Sequence, residues 1–176
     1  MNRRTVIRNM VIVSAGTAFF PSCLNGDKKA SIALKNYTIT GSQEEMLADL
    51  TETIIPSGDG HGAKEEKSHL FVLMMLDDCS SKEEQRKFIS GLKQFEEATK
   101  KRFGSSFIKC SKEQKVQLLK DIENKKEVSE ETIAFYNSTK KLTLQSYLSS
   151  EHYLTKITGY NILPGHYKGC VSVNNA

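Results

Sequence analysis

Residues 70–76, Leu-Phe-Val-Leu-Met-Met-Leu, decide the fold class of this chain of 176 residues. They form the centre of a segment from about Glu65 to Cys79 that we expect to be a helix. This centre is apolar on every side, and a helix of that kind is buried between other helices. The segment therefore predicts a helical bundle, in which Met74 and Met75 fill the core and do not bind metal.

Four other helices are predicted from hydroxyl residues that can cap a helix and from apolar residues at helical spacing. The predicted starts are Thr40 or Ser42, Ser80 or Ser81, Ser111 and Ser129. The predicted ends include Ile55, ahead of Pro56, then Gly104 and about Leu148. Ser42 and Glu45 form a predicted capping box, as do Ser111 and Gln114. The side chains expected in the core include Met46, Leu47, Leu50, Ile54, Phe88, Ile89, Leu92, Phe95, Ala98, Val116, Leu119, Ile122, Ile133, Phe135, Tyr136, Leu142, Leu144 and Tyr147.

The chain is long enough for one domain with a core, and no alternating stretch predicts a sheet. We therefore predict an all-α, single-domain bundle of about five helices over residues 40–176. Within it, residues 56–63 form a glycine-rich loop and residues 149–176 an irregular C-terminal tail. Residues 1–22 are a predicted signal peptide, and residues 23–39 a tether and lead-in.

The first 22 residues have the pattern of a secretory signal peptide. Arg3, Arg4 and Arg8 precede an apolar stretch, 10–20, that is too short to cross a bilayer as a helix. The adjacent Arg3 and Arg4 resemble the twin-arginine motif, the signal for export of folded proteins. An ordinary charged leader for the general export route is the alternative interpretation.

Cys23 follows the leader and is a predicted lipidation site. Ser22 and Cys23 resemble the end of a lipobox, in which the chain is cut before the cysteine and the thiol carries diacylglycerol. Phe20 stands where leucine is usual. We expect a lipoprotein anchored to the membrane on the periplasmic side, with the polar residues 24–29 as a short tether.

The charge of the chain argues against a nucleic-acid partner. Lys and Arg number 25 against 21 Asp and Glu, which gives a formal charge of +4. Without the leader the balance is 22 basic against 21 acidic residues. So small an excess does not attract the chain to phosphate.

Three cysteines remain if Cys23 is lipidated, an odd number in a compartment where disulfides persist. Cys110 is expected to be a small core residue. A disulfide between Cys79 and Cys170 would attach the irregular tail to a helix, and it is the predicted pair.

No catalytic or metal-binding motif is recognisable in the sequence. The four histidines, His61, His69, His152 and His166, do not fall at ligand spacing, and there is no Cys-x-x-Cys. Asp59 and His61 could meet His166 across the fold and bind a divalent metal, but such histidines are more often surface or loop residues. Residues 149–152, Ser-Ser-Glu-His, are interpreted as a capped helix end and not as a catalytic triad.

Several landmarks follow one another along the chain. The leader carries the paired arginines, one helix ends in Thr53-Ile-Ile-Pro56, and the loop Gly58-Asp-Gly-His-Gly-Ala63 follows it. The later landmarks are the apolar stretch 71–79, Phe103-Gly-x-x-Phe107 before Ser111-x-Glu-Gln114, Tyr147-Leu-Ser-Ser-Glu151, and Pro164-Gly-His-Tyr-x-Gly-Cys170. In this order the landmarks resemble the gluconate 2-dehydrogenase subunit 3 family. In the family the loop usually reads Thr-Asp-Thr-Pro-Gly-Ala, so Gly60 and His61 replace Thr-Pro here.

The resemblance implies an accessory role without a cofactor of its own. The family's small subunit binds a large FAD-dependent dehydrogenase of the glucose-methanol-choline type that lacks a leader, so export of the pair depends on the small subunit's signal. Electrons leave the flavin for a cytochrome subunit with haem c or another carrier. The expected partner surface is the glycine loop with the tail, including Ile162. The residues expected to bind the partner are Gly58, Asp59, His61, Tyr160, Pro164, Gly165, His166 and Tyr167.

Two alternatives belong to other functional classes. One is a stand-alone envelope lipoprotein that binds a ligand or a divalent metal through Asp59, His61 and His166. The other is a small hydrolase that uses His152 or His166, which lacks a positioned nucleophile in the sequence.

Overall fold

The computed structural model describes residues 29–58, 61–126, 128–163, 165 and 170. In this part of the chain, five α-helices form the body: α1 Gly41–Ile54, α2 Ser68–Cys79, α3 Lys82–Phe103, α4 Lys112–Glu123 and α5 Glu130–Leu148. A 3₁₀ turn, Phe107–Lys109, precedes α4, and a π-helical turn, Tyr153–Ile157, follows α5. The described residues contain no β-strand. The prediction of an all-α bundle of five helices is confirmed.

Four of the helices begin at a hydroxyl residue, as the sequence predicts. Ser81, Ser111 and Ser129 each accept a hydrogen bond from a backbone N–H of the first turn. The predicted capping box of α1 is wrong by two residues, because Thr40 has an extended backbone and its side chain pairs with Gln43. Ser42 lies inside the first turn of α1 and cannot cap it.

Helix α2 begins later, and is buried less uniformly, than the sequence predicts. Lys67 adopts a left-handed backbone conformation, so the helix starts at Ser68 instead of Glu65. Val72 and Leu73 are fully buried, whereas Met74 is 50% exposed. Only part of the helix surface meets other helices, and the interpretation of Met74 as core filler is therefore wrong.

The core is a cluster of aliphatic side chains around four phenylalanines. The Phe95 ring lies 5.1 Å from Phe107 and 5.6 Å from Phe135, and Phe88 lies 4.8 Å from Phe135. Tilted ring pairs at these distances are favourable beyond their buried area. Of the predicted core residues, Val116 is 42% and Leu144 39% exposed, so these two side chains lie at the surface.

Helices α3 and α5 lie close together at Gly91. A Cβ atom at this position would lie 2.4 Å from the carbonyl oxygen of Glu131 and 2.6 Å from the Cβ of Phe135. Gly91 is buried in the middle of α3. Glycine has a poor helix propensity, so its own preference does not explain why it occurs inside α3. The reason is that the two backbones leave no room for a side chain at this position.

The lead-in before α1 is attached to α2 by hydrogen bonds. The buried Asp77 carboxylate accepts the backbone N–H groups of Lys35 and Asn36 at 2.7 and 2.8 Å. These hydrogen bonds lower the pKa of Asp77, and the bond from the Lys35 backbone has the largest effect. Lys29 forms an isolated antiparallel bridge with Thr40, so the lead-in folds back beside the start of α1.

The cysteines follow the predictions in part. Cys110 is buried in the core, as expected. Cys79 and Cys170 are both exposed and free, so the structure does not contain the disulfide predicted between them. Cys79 ends α2 at the surface, while Cys170 lies in the tail among residues outside the described part of the chain.

Substitution of Gly91 by alanine tests this close contact between α3 and α5. Overpacking costs roughly 1–3 kcal/mol, and it outweighs the ~1 kcal/mol that alanine gains over glycine in a helix. We expect Gly91→Ala to lower the free energy of unfolding, measured in urea, by about 1–2 kcal/mol. Ser90→Ala, at the neighbouring exposed position of α3, is the control. A Gly91→Ala protein as stable as Ser90→Ala would contradict the close contact.

Candidate interaction surface

The glycine loop after α1 is held together by glutamates from both of its ends. Glu52, in α1, accepts hydrogen bonds from the backbone N–H and the hydroxyl of Ser57, both at 3.0 Å. Glu65 shares this hydroxyl proton, with the Ser57 oxygen at 2.5 Å, and also accepts from the Gly62 N–H at 2.9 Å. These hydrogen bonds lower the pKa of Glu65, and the bond from Ser57 has the largest effect. The backbone of Ala63 also bonds to the carbonyl of Ile55 at 3.0 Å, which closes the loop.

Gly62 is the loop position where a side chain does not fit. Its added Cβ would lie 2.5 Å from the Ser57 nitrogen and 2.7 Å from the Pro56 carbonyl carbon. Gly58, by contrast, is exposed and has no atom within 4 Å of such a Cβ among the described residues. The two ends of the loop therefore touch backbone to backbone at Gly62.

His61 joins the loop to the C-terminal segment. Its imidazole stacks on that of His152, with ring centroids 3.9 Å apart and an interplanar angle of 17°. Nε2 of His61 also bonds to the carboxylate of Glu66. From the sequence, His166 is the suggested partner of His61, while His152 is interpreted as part of a helix end or, in the hydrolase alternative, as a catalytic group. No spacing rule relates His61 to His152, because the contact is made between distant parts of the chain.

The C-terminal segment has more regular structure than the predicted irregular tail. Glu151 and His152 are helical and lead into the π-helical turn. The Tyr160 N–H then donates to the Leu154 carbonyl at 2.7 Å, which folds the chain back after the turn. The prediction of an irregular tail from Ser149 is therefore wrong over this stretch.

The segment from Leu148 to Leu163, which we call the C-terminal apolar segment, exposes a series of large apolar side chains. The exposed fractions are 46% for Leu148, 56% for Ile157, 57% for Tyr160, 81% for Ile162 and 79% for Leu163. Scattered exposed apolar residues are ordinary, but several within one short segment indicate an interaction site.

The predicted partner-binding residues are described only in part. Gly58 and Tyr160 are exposed, His61 is partly buried against His152, and Gly165 is exposed with a positive φ of 86°. Asp59, Pro164, His166 and Tyr167 lie outside the described residues. The structure thus brings the loop and the C-terminal segment together through a residue pair that the sequence does not predict.

The described part of the alternative metal site consists of His61 alone. Asp59 and His166 lie outside the described residues, and among those described no group of three or more candidate ligands could hold a metal ion. His61 uses Nε2 for Glu66 and its ring face for His152. The described residues therefore do not support the metal-binding alternative.

The two serines beside His152 act as backbone caps. The Ser149 hydroxyl donates to the carbonyl oxygens of Gln145 and Ser146, at 2.8 and 3.2 Å. The Ser150 hydroxyl accepts the Tyr153 N–H at 3.2 Å. The interpretation of this stretch as a capped helix end is confirmed, since Ser149 caps α5.

The predicted export and anchoring residues, Arg3, Arg4 and Cys23, lie outside the described residues. Among the helices that the structure does describe, none combines the length and the apolar character that a membrane span requires.

A model of the family described as gluconate 2-dehydrogenase subunit 3 matches residues 41–165. The match begins with the first residue of α1 and extends beyond the C-terminal apolar segment. Comparisons with curated proteins and with solved structures found no match. The family resemblance inferred from the loop and tail motifs is confirmed.

Alanine at two glycines of the loop tests its rigid construction. Gly62→Ala forces the Ser57 and Gly62 backbones apart, so we expect faster amide hydrogen exchange over residues 57–66 and a loss of stability of about 1–3 kcal/mol. Gly58→Ala adds the same methyl group in open space and should change neither property. Equal behaviour of the two variants would show that the loop is not closed at Gly62.

Proposed function

The chain belongs to the gluconate 2-dehydrogenase subunit 3 family, and from this membership we propose that it is the non-catalytic small subunit of an FAD-dependent dehydrogenase complex. The partner is a large flavoprotein of the glucose-methanol-choline type that oxidises a sugar or a polyol. The flavin belongs to that partner, and a third subunit with haem c, or another carrier, receives the electrons. The observation that carries the proposal is the family match across the whole helical body.

The polar side chains that were candidates for catalysis have structural contacts, which supports an accessory role. Ser149 and Ser150 bond to the backbone at the end of α5, and His61 and His152 stack on each other. Glu52 and Glu65 hold the loop. Each of these groups has a structural task in the described part of the chain, and a positioned nucleophile with a general base is not among them.

The C-terminal apolar segment is the proposed partner surface. Tyr160 and Ile162 are large, exposed and close in sequence, and aromatic and aliphatic anchors of this kind dominate the energy of protein interfaces. The His61–His152 contact holds the start of this segment against the glycine loop. The loop therefore supports the segment, in addition to the contacts that its own exposed residues make.

Export and anchoring complete the proposal. The arginine-paired leader is suited to cargo that folds around its flavin before it crosses the membrane, and the flavoprotein would be carried with this chain to the periplasm. Lipid on Cys23 would then hold the complex at the membrane. The support is the order of sequence features: paired arginines, a short apolar stretch, and Ser22-Cys23.

Substitutions in the C-terminal apolar segment test the partner surface. We expect the double variant Tyr160→Ala/Ile162→Ser to bind a co-expressed flavoprotein of the glucose-methanol-choline type at least about tenfold more weakly, because anchor side chains are lost. Co-purification followed by flavin absorbance measures the complex. Val116→Ser removes an exposed apolar side chain from α4 and serves as the control. Unchanged affinity of a folded double variant would rule out this surface.

The paired arginines test export of the complex. Changing Arg3 and Arg4 together to lysine keeps the charge but removes the motif, so we expect periplasmic activity of the co-expressed flavoprotein to fall to background. Flavoprotein activity in the cytosolic fraction shows that the enzyme is still made. Full periplasmic activity with this variant would contradict the carrier role, while leaving the partner surface to its own test.

A further inference from the structure

A groove of about 940 Å³ lies between the lead-in and α3, with the start of α1 at one side. Lys35 lies on the lead-in, and Lys82, Arg86 and Lys93 lie along α3. Thr40 also lines the groove. No carboxylate is among the described residues that line it. We call this region the basic groove.

The cations of α3 in this groove have no acidic partner in the described part of the chain. Lys35 bonds to Asp78 at 3.0 Å, but Lys82, Arg86 and Lys93 are exposed and form no ion pair with a described residue. A chain with nearly balanced charge therefore carries a local positive surface.

Neighbouring carboxylates are engaged elsewhere. Glu83 bonds to Lys87 at 2.7 Å, and Glu84 accepts the N–H and hydroxyl of Ser81 at 2.7 and 2.8 Å. Asp77 is buried under the backbone of the lead-in. Each of these carboxylates is bound to its own donor. None of them lines the groove.

The groove lies where the tether leaves the body. The antiparallel bridge holds Lys29 beside Thr40, a lining residue. Cys23 is six residues before Lys29. A fully extended stretch of that length spans at most about 20 Å. A lipid on Cys23 would thus hold this end of the body close to the bilayer, within reach of the charged surface.

We propose that the basic groove docks on the anionic phospholipid headgroups of the membrane that carries the lipid anchor. The inference rests on the proposed lipidation of Cys23, because that anchor brings the groove to the membrane. The two acyl chains of a diacylglycerol hold a protein at the membrane but do not orient its body, and a basic surface adds an electrostatic attraction that does. The diacylglycerol and the groove together fix which face of the body is turned to the bilayer.

The test measures binding of the mature chain, residues 23–176 with an unmodified Cys23 thiol, to vesicles. Vesicles of phosphatidylcholine with 30% phosphatidylglycerol are compared with phosphatidylcholine alone. Each basic residue near an anionic surface contributes a factor of about five. We therefore expect the triple variant Lys82→Gln/Arg86→Gln/Lys93→Gln to partition at least about tenfold less onto the anionic vesicles. Binding of the unchanged chain should also fall steeply in ~0.5 M salt.

The control is the triple variant Lys109→Gln/Lys112→Gln/Lys120→Gln, which loses the same charge from exposed residues in and near α4. Circular dichroism checks that both variants are folded. An equal loss in both variants, or equal binding to both kinds of vesicle, would overturn the proposal. Binding of the groove only to the purified flavoprotein would also overturn it, in favour of an acidic protein surface. Mass spectrometry of the N-terminal peptide from cells tests separately whether Cys23 is lipidated. A failure of the membrane-docking proposal can therefore be distinguished from a failure of the proposed lipidation.

Discussion

The packing of α3 against α5 at Gly91 is the constraint on which the rest of the structure depends. With hydrogen in place of a side chain, the two backbones come close enough for Phe88 and Phe95 of α3 to reach Phe135 of α5. Phe107 then packs on Phe95 from the 3₁₀ turn. Because protein cores are close-packed, a wider separation of these helices would open voids that the aliphatic side chains around them cannot fill.

Carboxylates attach the irregular parts of the chain to this helical frame. Asp77 holds the lead-in on α2, and Glu52 and Glu65 hold the glycine loop between α1 and α2. In each case a carboxylate accepts backbone N–H groups that regular structure would otherwise satisfy, and such charge-assisted bonds are stronger than neutral ones. The loop and the lead-in are therefore held in defined positions on the helical body.

These surfaces fit the accessory role that we propose for the chain within a dehydrogenase complex. The C-terminal apolar segment exposes the side chains that we propose as the contact with the flavoprotein, and the glycine loop supports its start through His61 and His152. The lead-in and α3 form the basic groove where the tether begins. One part of the chain suits a protein partner, and another suits an anionic membrane.

The sequence by itself determined the helices, because hydroxyl caps, apolar spacing and breakers such as Gly104 act over a few neighbouring residues. It also determined the family, through motifs whose order is written along the chain. Only the tertiary structure decided that Met74 is exposed, that Gly91 is a contact point and that His61 meets His152. Burial and contact depend on how separate helices are placed in space, and no local pattern carries that information.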